Sequence, residues 1–167
     1  SEIRQIGFPW SPGMAERARR STGATIAAAR ASLRDRCGIN LAGGTHHAFA
    51  DHGEGFCCYN DAAVAARVLQ RDCAISRVLI CDLDVHQGNG TARIFAGDAS
   101  VFTFSMHGER NYPVRKEQSS LDVELPDGCT DAPYLAALRD HLPRIVRSYE
   151  PEAIIYLAGA DPFEGDR

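Results

Sequence analysis

Residues 78–86, Val-Leu-Ile-Cys-Asp-Leu-Asp-Val-His, decide the fold. The first four are continuously apolar, as expected of a parallel strand that is buried on both faces, and we predict a strand over Val78–Val85. Residues two apart in an extended chain share a face, so Asp82, Asp84 and His86 should point the same way. Ligands bind at this end of parallel strands, and neighbouring buried carboxylates need a positive partner. We predict a divalent cation here; the alternative is a strand end that hydrogen-bonds nearby helices.

Helices and strands alternate outward from this stretch, which implies one α/β domain with a parallel sheet covered by helices on both sides. We predict further strands at Ile39–Ala42, Val101–Met106 and Ala153–Ala158, and irregular chain over 107–130. We predict a helix from Pro12 to about Arg36 with Ser11 as its N-cap, and a second from Asp61 to about Arg71 with Asn60 as its N-cap. A third helix should run from Asp131, its own cap, to about Tyr149, and Pro143 should kink or split it.

Composition narrows the class of protein. A chain of 167 residues with 44% hydrophobic residues fits one globular domain. A net charge of −4 does not indicate a basic face for direct binding to nucleic acid. We find no apolar run near the ~18 residues of a membrane span and no signal peptide at the start. We therefore predict a cytoplasmic protein without membrane contact, whose six cysteines are reduced.

Two more predicted strands end in polar residues. Gly43-Gly44-Thr45-His46-His47 follows the strand at Ile39–Ala42, and Asp161 follows Ala153–Ala158. Each signal is weak alone, because a single histidine is usually structural and a carboxylate after a strand is more often a cap. Carboxyl ends of parallel strands meet at one edge of a sheet, so together they predict one pocket.

Five motifs follow one another along the chain: Gly43–Ala48, Gly55-Phe56-Cys57, Asn60-Asp61, Asp82–Gly90 and Gly159-Ala160-Asp161. In this order they resemble the zinc-dependent histone deacetylase family. The resemblance implies the three-layer arginase/deacetylase-like α/β fold, with a parallel sheet flanked by helices, over residues 1–167. The Gln87-Gly88-Asn89 variant, Gly43–His47 and Glu164-Gly165-Asp166-Arg167 resemble the class IV branch of the family and its bacterial relatives.

The resemblance assigns a metal site. Asp84, His86 and Asp161 correspond to the zinc ligands, and such a set leaves coordination positions open for water and substrate. Its oxygen-rich composition also suits Fe²⁺ or Co²⁺.

The resemblance assigns catalytic roles as well. His47 corresponds to the general base that later protonates the departing amine, and His46 to its electrostatic partner. Asp82 corresponds to the carboxylate that hydrogen-bonds His46. Asn89 stands behind His47 where many members have Asp, and a neutral partner should leave His47 a lower pKa.

Further residues correspond to the substrate channel and to potassium sites. Phe56 and Tyr112 match aromatic walls around an acyl-lysine stem, and Gly55 lies where the backbone meets the substrate amide. One potassium site would use carbonyls around Asp82, Asp84 and His86 with Ser105 and Met106, and a second would use Phe95, Asp98 and Val101.

The chain departs from the family in length. Family domains are longer, and their oxyanion-stabilising tyrosine lies in a downstream glycine-rich segment, where none of the five tyrosines here falls. We therefore expect a domain incomplete at both ends, with low activity by itself. Exposed sheet edges would favour homo-oligomers.

The expected function is removal of acetyl or longer acyl groups from lysine in a peptide or protein, or from a small amine. Two alternatives stay open. One is a ureohydrolase-like enzyme of the same fold, which usually needs two manganese ions and more carboxylates. The other is a catalytically incomplete metal-binding or interaction fragment.

Overall fold

The computed structural model describes residues 2–166. Ser1 and Arg167, which end the predicted domain, lie outside the described residues, so the last residue of the Glu164–Arg167 motif does too. Of the helices in the described part, none is long and apolar enough to cross a bilayer. The helices are α1 Glu2–Ile6, α2 Pro12–Asp35, α3 Asp61–Cys73, α4 Asn89–Ile94 and α5 Asp131–Tyr149; the strands are β1 Val78–Asp82, β2 Val101–Gly108, β3 Leu121–Leu125 and β4 Ala153–Leu157.

The four strands form one parallel sheet in the order β3-β2-β1-β4. Asp82, the last residue of β1, lies beside Ser105 of β2 and Leu157 of β4. Because β1 and β4 are parallel neighbours, the chain leaves both strands at the same edge. The segments that carry Asp84 and Asp161 therefore emerge side by side.

Helices cover the sheet on both faces, which confirms the predicted three-layer α/β fold. All five residues of β1 are buried. On one face, Val78 and Ile80 pack with the alanine-rich side of α3. On the other face, Leu79 and Cys81 pack with α5. The long helix α2 lies outside this arrangement, against α3.

The segment predicted as a strand at Ile39–Ala42 is not a strand, and this prediction was wrong. The Asn40 side chain donates to the Ser21 carbonyl at 3.1 Å and to the Thr25 hydroxyl at 2.7 Å, while its own oxygen accepts from the Ala42 amide at 3.0 Å. These bonds fold the segment into a turn against α2. The His46-His47 pair therefore follows a turn.

Strand β1 is shorter than predicted because its carboxylates bend the chain. An Asp82 carboxylate oxygen accepts from the Asp84 amide at 3.1 Å, and an Asp84 oxygen accepts from the His86 amide at 2.8 Å. Each bond turns the backbone out of the extended conformation. The three side chains therefore reach the site from a bent loop, and the assumption of one extended face was wrong.

The region 107–130 is more ordered than predicted, because it contains the end of β2 and all of β3. The Thr103 and Ser120 side chains exchange hydrogen bonds with each other's backbone amides at 3.1 and 2.9 Å, which places β3 alongside β2. The short helix α1 was also not predicted.

Helix α5 differs from the prediction at two positions. It runs without interruption through Pro143, which lies on the exposed side of the helix, where a carbonyl that loses its partner can face water. Its N-cap is Thr130, one residue before the predicted Asp131.

Candidate metal and catalytic site

Three side chains that could hold a metal ion meet at the end of the sheet where β1 and β4 finish. The Nδ1 atom of His86 lies 3.0 Å from an Asp84 oxygen and 2.9 Å from an Asp161 oxygen. All three donor atoms lie within 4.8 Å of one another. The second Asp161 oxygen accepts from the Val85 amide at 3.2 Å, which ties the chain after β4 to the loop after β1.

The electrostatics of this group favour a cation. Partial burial and the negative charge of Asp84 raise the pKa of Asp161 above its ordinary value. Partial burial opposes ionisation of Asp84 as well, but hydrogen bonds from His86 and the charge of His46 lower its pKa to about 2. A divalent ion would relieve the repulsion between the two carboxylates. Two carboxylates and one imidazole fit zinc, and equally iron(II) or cobalt(II).

The two adjacent histidines lie beside this group, each with its own buried partner. Both rings are buried, with centroids 4.1 Å apart. Nδ1 of His46 is 2.5 Å from an Asp82 oxygen, and Nδ1 of His47 is 2.7 Å from the Asn89 side-chain oxygen. The His47 centroid lies 5.9 Å from that of His86. The structure thus places each histidine against the partner that the resemblance implied.

The two partners give the histidines opposite charge states. Burial disfavours protonation of His46, but Asp82 and the nearby carboxylates outweigh it and raise its pKa to about 9. Burial and the charge of His46 lower the pKa of His47 to about 4, and the hydrogen bond with Asn89 only partly offsets them. Without a metal ion, these shifts favour a protonated His46 and a neutral His47 at neutral pH, so His47 is the histidine that can accept a proton.

Two consecutive residues at the start of α3 hold the backbone of the histidine pair. The Asn60 side-chain nitrogen lies within hydrogen-bond distance of the carbonyls of His46 (3.2 Å) and Ala48 (3.1 Å). Its oxygen caps α3 by accepting from the Ala63 amide at 3.0 Å. Asp61 accepts from the Thr45 amide at 2.8 Å. The sequence predicted the cap at Asn60 but not its second set of contacts.

A cavity of about 610 Å³ opens from the metal-binding group to the surface. The predicted channel residues Gly55, Phe56 and Tyr112 all line it. Phe56 is exposed and packs on Phe8, and the Tyr112 ring meets His47 edge-on with centroids 4.8 Å apart. The cavity continues toward Arg4 and Arg17, two exposed residues that were not predicted to belong to it.

The conformation of Gly55 makes room for His47. Its φ of +54° is in the left-handed region, and an added Cβ would lie 2.7 Å from His47 Cδ2. Gly44 offers a matched control, since its φ is +88° but a Cβ there would meet nothing within 4 Å. The backbone strain alone costs about 1–2 kcal/mol at either position.

We expect Gly55→Ala to lower the free energy of unfolding more than Gly44→Ala does, because only the former adds a clash. It should also displace the His47 ring. Chemical denaturation and crystal structures of both variants measure these effects. Equal destabilisation with an unmoved ring would contradict the expected clash.

Glu54 is a residue of this site that the sequence did not reveal. One of its carboxylate oxygens accepts from the Asn89 side-chain nitrogen at 2.9 Å and from the Tyr112 hydroxyl at 2.7 Å. Burial and the bond with Glu54 raise the pKa of the Tyr112 phenol, which keeps this hydroxyl a donor. Glu54 lies in a loop rich in glycine, histidine and aspartate, and nothing in its spacing indicated these partners.

The predicted potassium sites stay predictions. At the first, Ser105 pairs with Asp82 in the sheet, and its hydroxyl lies 2.9 Å from His107 Nδ1. At the second, the carbonyls of Phe95 and Asp98 accept from the amides of Asp98 and Val101 at 3.0 and 3.3 Å.

Several known proteins are similar to this chain in sequence. An uncharacterised protein of Picosynechococcus sp. is 48% identical over 98% of the chain, which spans 55% of that protein. Histone deacetylase 2 of Arabidopsis thaliana is 36% identical over 89% of the chain, which spans 39% of it. The acetoin utilization protein AcuC of Staphylococcus aureus is 35% identical over 74% of the chain, which spans 35% of it. The chain thus spans about half, or less, of each relative.

The fold and the family agree with these similarities. The crystal structure of the HDA15 HD domain matches 89% of the chain with a TM-score of 0.75 and 32% identity, and the chain spans 48% of it. The family described as "Histone deacetylase domain" matches residues 3–167. The predicted resemblance is confirmed, and the chain belongs to the histone deacetylase domain family.

Proposed function

We propose that this chain carries the catalytic centre of a metal-dependent deacetylase that hydrolyses the amide of an acylated lysine or a related amine. The observation that carries the proposal is the meeting of the Asp84–His86–Asp161 donor group and the buried histidine pair in one cavity. Membership of the deacetylase family supports it.

A divalent ion is part of this proposal. Asp84, His86 and Asp161 would hold the ion. When bound, it supplies Lewis acidity to the acyl carbonyl and to the attacking water.

His47 is the proposed general base. Its Nδ1 faces Asn89, so Nε2 is the nitrogen left to take the proton as water forms the new C–O bond. The protonated His46, held by Asp82, stabilises the negative charge that develops on the acyl oxygen. His47 then gives its proton to the amine nitrogen as the C–N bond breaks, which releases a carboxylate and an amine.

The proposed substrate has a flexible apolar stem behind the amide. Phe56 and Tyr112 offer aromatic surface to methylene groups, and Gly55 lies against the His47 ring. An acyl-lysine side chain in a peptide or protein fits this description, as does a small acylated diamine. Potassium binding, a cytoplasmic location and homo-oligomers stay predictions from the sequence.

One observation disfavours the ureohydrolase alternative. Within residues 2–166, Asp84, His86 and Asp161 form the one group of three donors able to hold a metal. A two-metal site would need more carboxylates in reach of that group. His46 and His47 occupy the adjacent space instead.

The test is amide hydrolysis by protein loaded separately with zinc, iron(II) or cobalt(II). We expect an acetyl-lysine peptide or an N-acetylated diamine to release its amine in a metal-dependent reaction that a hydroxamate inhibits, at the low rate expected of this chain by itself. Asp51→Ala, which removes an exposed carboxylate outside the cavity, should keep this activity. Metal-loaded protein that hydrolyses neither substrate would contradict the proposal.

A further inference from the structure

The hydrogen-bond partner of His47 is an amide, and an amide alone leaves the histidine's protonation pattern undefined. Asn89 carries one accepting oxygen and one donating nitrogen on the same planar group. If its oxygen faces His47, Nδ1 must carry the proton and Nε2 is free to act as a base. If its nitrogen faces His47, Nδ1 must be the acceptor and Nε2 carries the proton. Only the first arrangement provides a base facing the cavity.

Glu54 removes this ambiguity. A carboxylate oxygen accepts hydrogen bonds and has none to donate, and the Glu54 oxygen is 2.9 Å from the far end of the Asn89 amide. The reversed amide would place two accepting oxygens at that distance. The Asn89 nitrogen must therefore face Glu54, and its oxygen must face His47 Nδ1 at 2.7 Å.

The position of Glu54 is itself fixed by the fold. Its backbone exchanges hydrogen bonds with Cys57 at 3.0 and 2.8 Å, which closes a tight turn. The oxygen that binds Asn89 also accepts from the Tyr112 hydroxyl at 2.7 Å. Glu54 belongs neither to the Asp84–His86–Asp161 donor group nor to the histidine pair. One of its oxygens contacts Asn89, the partner of His47, and also Tyr112 in the channel wall.

We propose that Glu54 is a positioning residue that sets the His47 tautomer through the Asn89 amide. Its importance for turnover rests on the proposed deacetylase function, whereas its effect on the tautomer does not. Glu54 acts by accepting two hydrogen bonds on one oxygen. The carbonyl oxygen of glutamine can do the same, but its amide nitrogen can also donate, so Glu54→Gln should hold the Asn89 amide in this orientation less strictly than the carboxylate does.

The test compares Glu54→Gln with Glu54→Met, which has similar length and no comparable acceptor. Nitrogen-15 NMR of the His47 ring in the metal-loaded protein at neutral pH reports the tautomer. We expect the Nδ1–H form alone in the wild type, chiefly the Nδ1–H form in Glu54→Gln, and a larger share of the other tautomer in Glu54→Met. Tyr112→Phe, which removes the other donor to the same oxygen, should keep the Nδ1–H form. A pure Nδ1–H form in Glu54→Met would overturn the proposal.

Kinetics provide a second readout. We expect Glu54→Met to lower kcat roughly 10–100-fold, the range typical of residues that orient a catalytic group through a hydrogen bond, and Glu54→Gln to retain most of it. Equal losses in both variants would refute the acceptor role. Should the methionine variant fail to fold, Glu54→Ala removes the same acceptor without adding bulk.

A double-mutant cycle separates positioning from simple structural support. In Asn89→Asp, residue 89 has no amide to orient, and its carboxylate would face that of Glu54 at close range. Adding Glu54→Met to this background should leave kcat/KM unchanged or raise it. The same loss in both backgrounds would show that Glu54 only supports the loop. The NMR result stands even if no acetyl-lysine substrate is hydrolysed, so failure of the two proposals can be told apart.

Discussion

Replacing His47 by alanine is expected to lower kcat for amide hydrolysis by about 10²–10⁴-fold, the usual contribution of a general base. The loss should be confined to turnover. His47 is not one of the three metal donors, so metal content measured by mass spectrometry should stay at the wild-type level. A hydroxamate that binds the metal directly should keep its affinity within a few-fold, measured by calorimetry, because binding requires no proton transfer by His47.

Two further variants test whether the loss of kcat is specific to His47. His46→Ala should have a smaller effect on kcat, because it removes a stabilising charge but leaves the base. His141→Ala is the matched control, since His141 lies on α5, on the face of the sheet opposite α3, near Phe104. Wild-type turnover in His47→Ala would assign the base to another residue.

Asp161→Asn should have opposite effects on metal binding and on the stability of the metal-free protein. Metal affinity should fall by more than the ~100-fold that loss of an outer hydrogen-bond partner can cost, because a donor itself is removed. Without metal, the Asp161 carboxylate is destabilised by burial and by Asp84. The neutral amide should therefore raise the melting temperature of the metal-free protein at neutral pH.

The stability difference between metal-free Asp161→Asn and the wild type should depend on pH. A carboxyl group whose pKa is raised in the folded state stabilises the fold below its unfolded value, about 3.9, and loses that contribution as pH rises through the folded pKa. The gap between metal-free Asp161→Asn and wild type should therefore open as pH rises above about 4.

Asp72 is the matched control for this comparison. Its hydrogen bonds with Arg71 and Arg30 lower its pKa to about 2. Asp72→Asn should therefore leave metal affinity unchanged and give no stabilisation at neutral pH. A metal-free Asp161→Asn that melts below the wild type at neutral pH would refute the argument from repulsion.

The sequence predicted those parts of the fold that depend on local signals. The apolar run from Val78 needs no partner to be recognised, and the structure confirms it as the central strand. Ser11 and Asn60 cap their helices with side chains that accept from amides three residues ahead, at 3.0 Å in both cases. Such bonds form within one turn of chain, so the residue type and its position are sufficient.

The elements and residues that were predicted wrongly or missed all depend on contacts with residues far away in the sequence. Ile39–Ala42 has the composition of a strand but is folded back by contacts of Asn40 with α2. Strand β3 is mostly half-buried, and its place beside β2 depends on Ser120 meeting Thr103. Glu54 contacts a residue 35 positions away and another 58 away. A short stretch of sequence, such as the length of one helix turn or one strand, does not contain both members of such a pair.

The contacts of Asn60 have a consequence for local opening of the molecule. This side chain joins the first turn of α3 to the His46 backbone, and its nitrogen also lies 2.9 Å from the Thr91 hydroxyl in α4. The Thr91 amide in turn donates to the His46 carbonyl at 3.1 Å. Fraying of either helix would release the histidine loop, so the three segments form one cooperative unit. Amide hydrogen exchange at Ala63 and Thr91 therefore reports how often the histidine pair loses its geometry.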